Sequence, residues 1–66
     1  MPFAEAYKHM LEGKRIRRPS FKGFWYLSPE TGALIINIGD GKDIKYGNLD
    51  VTVKNCLAND WEVVDA

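Results

Sequence analysis

The stretch GKRIRRPSFKGFWYLS, residues 13–28, is the segment around which we interpret the rest of the chain. Its first six residues carry four positive charges, at Lys14, Arg15, Arg17 and Arg18. Its last eight carry four aromatic rings, at Phe21, Phe24, Trp25 and Tyr26. Cations bind phosphate by charge-assisted hydrogen bonds and rings stack on bases, so the stretch suits a nucleotide-like ligand. The structural alternative is that the arginines form a solvated edge while the rings enter the core.

An amphipathic helix precedes this stretch. Apolar residues recur at i, i+3, i+4, i+7 and i+8, namely Phe3, Ala6, Tyr7, Met10 and Leu11. This spacing predicts a helix over residues 2–12, with Pro2 in its first turn and Gly13 as its C′ residue. His9 lies off the apolar side, where a solvated role is expected.

Short strands follow, and the sequence predicts them over residues 14–18, 24–28, 33–38 and 43–46. Turns are predicted at PETG, residues 29–32, and at GDG, residues 39–41.

The C-terminal third is less regular. Residues 47–53 either extend the fourth strand or form a loop, and Asn55 is expected to cap a short helical turn over residues 56–59. A final strand is predicted over residues 60–64. The predicted fold is a single α+β domain, residues 1–66, with a small antiparallel sheet of four to five strands and one N-terminal helix packed on one face.

Both faces of the central hairpin are largely apolar. Successive residues of a strand point to opposite faces, so Phe24 and Tyr26 share one face and Trp25 shares the other with Leu27. The next strand places Ile36 on one face and Ile35 and Asn37 on the opposite one. One short helix covers one face only, so we expect a second subunit, a ligand or both on the other. Asn37 is either a solvated rim residue or a hydrogen-bonding group in a pocket.

Size and composition point to self-association. A chain of 66 residues makes one domain with a marginal core. Cys56 is the single cysteine and His9 the single histidine, which excludes an intrachain disulfide and argues against a zinc site. No other cofactor is expected. A homo-oligomer is therefore predicted.

The charge distribution argues against a nucleic-acid polymer or a membrane as the partner. Net charge is zero, no apolar run could span a bilayer, and we find no signal peptide, so a cytoplasmic location is expected. Residues 1–22 nevertheless carry six Lys or Arg against two Asp or Glu, and residues 23–66 carry three against seven. The basic end could receive an anion or pair with the acidic end of a neighbouring subunit.

Groups for catalysis are not evident in the sequence. His9 stands alone on a helix exterior, and the position of Cys56 beside Leu57 suggests core packing. The carboxylates Asp40, Asp43 and Asp50 are spread through turns. We therefore expect a protein that is not an enzyme.

Several short motifs, taken in order, resemble the phage and bacterial family known as Thoeris anti-defence protein 2-like. That family usually reads F-x-x-A-L near the start, then G-K-x-V-x-R-x-x-W, and L-A-x-D-W-E near the end. The matching residues here are Phe3, Ala6, Gly13, Lys14, Ile16, Arg18, Leu57, Ala58, Asp60, Trp61 and Glu62. Phe21 stands where the family commonly has Trp, and residues 47–54 depart from the family pattern.

The resemblance implies a non-enzymatic sponge that sequesters a nucleotide immune signal in the cytoplasm of the bacterial host. In the family the signal is a cyclised ADP-ribose isomer, some members also take cyclic dinucleotides, and the proteins form homo-oligomers, here expected to be a tetramer. Sequestration withholds the signal from its effector and so blocks bacterial anti-phage defence.

The resemblance and the residue types together nominate a ligand site. Arg18 is expected to bind a phosphate and Phe21 to stack on a base or ribose, with Trp25 as a second stacking residue. Phe3 and Trp61 either line the site or belong to the core. Asp60 either caps a turn or pairs with Arg18 across the sheet.

Two other functions remain open. One is a protein-interaction or phage-structural module with no nucleotide ligand, because fold does not establish function. The other is a binder of single-stranded nucleic acid, against which the zero net charge counts.

Overall fold

An antiparallel sheet with two helices forms the architecture of the computed structural model, which describes residues 1–39, 41, 43–44 and 49–64. Within those residues the elements in chain order are α1 (Phe3–Leu11), β1 (Arg15–Arg17), β2 (Phe24–Leu27), β3 (Leu34–Asn37), β4 (Asp43–Ile44), α2 (Leu49–Cys56) and β5 (Glu62–Val64). The strand order is β4-β3-β2-β1-β5, and every neighbouring pair is antiparallel. The predicted α+β fold with an N-terminal helix on the sheet is confirmed.

Helix α1 begins and ends where its sequence signals predict. Pro2 precedes it with extended backbone angles, φ −65° and ψ 157°, and Ala6 and Met10 are buried on its inner side. Gly13 follows with φ +89°, a conformation that suits glycine. The N–H of Gly13 donates to the carbonyl of Met10 at 3.0 Å, and the N–H of Lys14 donates to that of His9 at 3.1 Å. These two bonds form a Schellman motif, which ends the helix and turns the chain into β1.

The hairpin of β2 and β3 forms the centre of the sheet. Its register pairs Phe24 with Asn37 and Leu27 with Leu34. The predicted PETG turn closes it, since the N–H of Ser28 donates to the carbonyl of Ala33 at 2.8 Å and Gly32 has φ +73°. In the predicted GDG turn, Asp40 lies outside the described residues. Residues 45–46 of the predicted fourth strand also lie outside them.

The predictions for residues 47–59 are wrong where the structure describes them. Residues 49–53, expected in a strand or loop, begin helix α2, and Asn55 lies in its last turn instead of capping a turn over residues 56–59. Valines on alternate positions and a threonine between them suggest a strand by β propensity. Helical spacing prevails, because Thr52 and Cys56, four residues apart, are both half-buried. Residues 47–48 lie outside the described part of the chain.

The core lies between α1 and one face of the sheet. It comprises the buried side chains of Ala6, Met10, Ile16, Trp25 and Trp61. Cys56, in the last turn of α2, packs against the same cluster. Both helices therefore contribute to one side of the sheet, which we call the covered face. We call the opposite side, which carries Arg15, Phe24, Tyr26 and the buried Ile35, the open face.

Candidate functional site

Four of the six predicted site residues lie together in one aromatic cluster on the covered face, made of Phe3, Phe21, Trp25 and Trp61. The ring centroids of Trp25 and Trp61 are 4.9 Å apart, and that of Phe21 lies 5.4 Å from Trp61 in an edge-to-face arrangement. The indoles are 3% and 2% exposed, so they are core residues. Phe3 and Phe21 are half-buried at the margin of the cluster. Sequence reasoning proposed Phe21 and Trp25 for stacking and left Phe3 and Trp61 between the site and the core. Burial leaves neither tryptophan a surface on which a base could stack.

Arg18, the predicted phosphate ligand, is engaged by groups of its own chain. Its Nε donates to Oδ1 of Asp60 at 2.6 Å and its Nη2 to Oδ2 at 3.2 Å, a bidentate pair. Its Nη1 donates to Oδ1 of Asn55 at 2.7 Å. The predicted pairing of Asp60 with Arg18 is confirmed.

The ion pair shifts the pKa values of both partners. Hydrogen bonding from Arg18 holds the pKa of the Asp60 carboxyl below its ordinary value, and the same bond raises the pKa of the Arg18 guanidinium. Both shifts favour the charged forms, so the pair is fully ionised at neutral pH.

Asn55 joins three elements at this point, a role that the sequence did not reveal. Its side-chain oxygen accepts from Arg18, which follows β1, and its backbone carbonyl accepts from Nε1 of Trp61 at 2.8 Å. Trp61 directly precedes β5. The polar contacts around Arg18 therefore attach the last turn of α2 to one end of the β1–β5 pair, where β1 finishes and β5 begins, and we interpret this cluster as structural.

The open face offers a different arrangement of a cation and rings. The guanidinium carbon of Arg15 lies 4.6 Å from the centroid of the Phe24 ring, within range of a cation–π contact. The rings of Phe24 and Tyr26 are 5.8 Å apart. Here a cation and aromatic surface are both within reach of solvent, because Arg15 is exposed and both rings are half-buried.

A groove of about 440 Å³ follows this face. Its lining comprises Gly13, Arg15, Phe24, Tyr26, Leu27, Pro29 and Asn37. Asn37 is therefore the predicted site residue that lies on the open face. The backbone N–H of Gly39 donates to its Oδ1 at 3.0 Å, which fixes the orientation of the amide. The volume lies within the range typical of small-molecule sites.

Of the four charges of the basic stretch, Arg15 and Arg17 lie on the open face, and Lys14 and Arg18 flank β1. Lys14 Nζ lies 3.8 Å from Glu12, Arg17 Nε lies 2.8 Å from Glu62, and Arg18 Nε lies 2.6 Å from Asp60. No carboxylate among the described residues forms an ion pair with Arg15. Two arginines of the basic stretch thus pair with acidic residues in or just before β5 of the same chain, at Glu62 and Asp60.

Sequence reasoning did not single out Arg15 and Phe24 as a pair. The signal was present in the alternation of β1 and β2, because Arg15 and Arg17 share a face of one strand and Phe24 and Tyr26 share a face of the next. What was missing was the antiparallel register, Ile16 opposite Trp25, which brings those two faces together.

Comparison with models of known protein families, with curated protein sequences and with solved structures yields no match. Among the described residues no group of three His, Cys, Asp or Glu side chains is placed to hold a metal ion. In the same part of the chain, no helix combines the length and the apolar character that crossing a bilayer requires. The candidate site therefore rests on the geometry of the open face.

Proposed function

We propose that the protein is a non-enzymatic sponge that binds and sequesters a cyclic nucleotide signal in the bacterial cytoplasm and so blocks anti-phage defence. This is the function implied by the resemblance to the Thoeris anti-defence protein 2-like family. The observation that carries the proposal is the guanidinium of Arg15 at 4.6 Å from the Phe24 ring, inside a groove of about 440 Å³. A cation can meet a phosphate there while the ring meets a base.

The chemistry of the groove supports binding in preference to turnover. Among the described residues, its lining supplies one guanidinium, two aromatic rings and an amide, at Arg15, Phe24, Tyr26 and Asn37. Stacking on a half-buried ring contributes about 1–3 kcal/mol per base, and a hydrogen bond to a charged group about 1.5–3 kcal/mol. Such contacts hold a nucleotide without activating a nucleophile, and a sponge requires only that.

The proposal includes a homo-oligomer, with a tetramer as the expected form. One face of the sheet is covered by α1 and by the last turn of α2, while the open face carries half-buried rings of Phe24 and Tyr26. A second copy over this face would bury those rings further and enclose a ligand between subunits. Enclosure excludes water and strengthens the charged contacts of Arg15.

Binding and release of unchanged ligand is the direct test. Calorimetry of the purified protein with cyclic ADP-ribose isomers, cyclic dinucleotides and single-stranded oligonucleotides should show tight binding of a cyclic nucleotide. Chromatography after heat denaturation of the complex should recover the ligand intact. Light scattering on the same sample gives the mass of the assembly, which should be a multiple of the 7.5 kDa chain.

A pair of variants locates the site. Phe24→Ala removes the stacking ring of the groove and should weaken binding at least tenfold. Leu11→Ala, at an exposed position of α1 that is not among the residues lining the groove, is the control and should bind as the unchanged protein does. Converted ligand would indicate an enzyme, and binding of oligonucleotides alone would indicate the single-strand binder. If the protein binds none of these compounds, the result would favour the protein-interaction module.

A further inference from the structure

We infer that Arg17 is a further phosphate contact beside the groove, and that Glu62 competes with the ligand for it. On binding, the Arg17 guanidinium exchanges a carboxylate of its own chain for a phosphate of the ligand. The inference rests on the proposed function, since it concerns the affinity of the same site. It follows from the position of Arg17 on the sheet and from how weakly its present partner holds it.

The register of the sheet brings Arg17 next to the groove. Ile16 lies opposite Trp25 in the antiparallel pair of β1 and β2, so Arg17 lies across from Phe24, which lines the groove. Arg15 and Arg17 share the open face of β1, and two residues of strand separate their Cα atoms by about 6.6 Å. A phosphate held by Arg15 beside the Phe24 ring is therefore within reach of the Arg17 side chain.

Glu62 holds Arg17 by a single contact that water can reach. The Nε of Arg17 donates to Oε1 of Glu62 at 2.8 Å, and no other acceptor among the described residues bonds to this guanidinium. The two side chains are 38% and 47% exposed, and ion pairs in such positions contribute little to stability. A guanidinium can bind two oxygens of one phosphate at once, which is a stronger contact than the single bond to Glu62. Exchange of the carboxylate for a phosphate is therefore favourable.

Arg18 provides the contrast, because its guanidinium is committed to the fold. It donates three hydrogen bonds to Asp60 and Asn55, and their loss would release the last turn of α2 from the sheet. The contact between Arg17 and Glu62 instead joins two strands that backbone pairing already holds together. Arg17 can therefore change its partner without a change in the fold.

Inorganic pyrophosphate and cyclic ADP-ribose are the two probes of this exchange. The side-chain N–H resonance of Arg17 Nε, assigned by its loss in Arg17→Gln, should shift when either probe is added to the unchanged protein. Glu62→Gln keeps the shape of the residue but removes the charge that competes for Arg17, so it should bind both probes more tightly by about threefold or more. Arg17→Gln should bind both more weakly by about fivefold or more. The control Glu5→Gln removes the same charge from an exposed position of α1 and should change either affinity by less than about twofold.

The double variant separates exchange from simple repulsion of the ligand by Glu62. If Glu62 acts through Arg17, the gain from Glu62→Gln disappears when it is combined with Arg17→Gln. A gain that persists in the double variant would show that Glu62 only repels the anion, and it would overturn the inference. An unchanged affinity in Arg17→Gln, or weaker binding in Glu62→Gln, would overturn it as well.

These outcomes are distinguishable from those of the proposed function. If pyrophosphate shifts the Arg17 resonance and binds more tightly to Glu62→Gln while no cyclic nucleotide binds, the exchange stands and the sponge falls. If cyclic ADP-ribose binds and neither variant changes its affinity, the exchange falls and the sponge stands. If neither probe shifts the Arg17 resonance, the exchange is overturned whichever other nucleotide the protein binds.

Discussion

The two faces of the sheet differ in what covers them, and the difference separates two sets of aromatic residues that look alike in the sequence. Trp25 points to the covered face and is 3% exposed, among the rings of Phe3, Phe21 and Trp61. Phe24, its neighbour in the chain, points to the open face and lies under Arg15. Two adjacent residues of β2 therefore differ in role: Trp25 is a core residue, and Phe24 is a candidate for ligand stacking.

The arginines of the basic segment show the same division. Arg18 and Arg15 are three residues apart, yet the first is bound to Asp60 and Asn55 while the second contacts a ring and solvent. The residue type alone supports a phosphate contact at either position. The partner that the fold supplies differs between the two, and our proposal therefore assigns the phosphate contact to Arg15.

The largest expected effect is on stability, and it distinguishes Trp25 from Phe24, its neighbour in β2. Trp25→Ala should lower the free energy of unfolding by about 3–5 kcal/mol, because it empties a large buried site. Phe24→Ala should lower it by only about 1 kcal/mol, since its ring is half-buried on the open face. Urea denaturation followed by tryptophan fluorescence measures both variants, because Trp61 remains in each.

A small domain has about 5–15 kcal/mol of stability in total, so Trp25→Ala could be unfolded in water. Trp25→Phe keeps much of the ring volume and provides a milder form of the same comparison. Equal losses for Phe24→Ala and Trp25→Ala would mean that the open face is covered as well as the helical one.

A smaller effect distinguishes Arg18 from Arg15, because one substitution should change stability and the other ligand affinity. Arg18→Ala should lower the urea midpoint because it removes the bridge between Asp60 and Asn55, while the affinity for a nucleotide changes less than threefold. Arg15→Ala should do the reverse, with little change in the midpoint and a loss of binding. Denaturation and calorimetry on the same two preparations check both halves. Loss of binding in folded Arg18→Ala would return the phosphate contact to the residue that the sequence first suggested.

The pH dependence of stability measures the contribution of the ion pair between Asp60 and Arg18. The pKa of Asp60 in the folded protein lies below its value in the unfolded chain, which is about 3.9 for an ordinary aspartate. Its stabilising contribution is therefore present above about pH 4 and is lost as the pH falls through the lower, folded-state pKa. Asp60→Asn should remove that contribution, so the urea midpoints of the two proteins should differ at pH 6 and converge as the solution is acidified. A constant difference down to the lowest pH at which both fold would contradict the assignment.

The sequence predicted the fold well where one pattern dominates. The apolar spacing of α1, the glycine that ends it, and the β2–β3 hairpin with its PETG turn are local signals, and the structure confirms them. Helix α2 was missed because its β-branched run resembles a strand, although Asn48, a residue type favoured at N-caps, precedes Leu49 in the sequence.

The site was harder to predict, because its residues are brought together by long-range pairing. The bond between Arg18 and Asp60 joins residues 42 apart in the chain, and the face that Arg15 shares with Phe24 follows from the register of β1 on β2. Composition showed that rings and cations were present in the segment. Only the register shows which of them meet, and which cations are already paired.

The smallest expected effect concerns Cys56, which belongs to the covered face through the last turn of α2. Partial burial raises the pKa of its thiol, so less thiolate is present at pH 8 than in an ordinary cysteine. Its reaction with a disulfide reagent should be slower than that of free cysteine, and it should accelerate to the free rate in urea. Arg18→Ala should accelerate it under native conditions, because the side chain of Asn55, the residue before Cys56, loses the donor that holds the last turn of α2. An unchanged rate in that variant would show that the backbone bond from Trp61 to Asn55 is sufficient to hold α2 against the sheet.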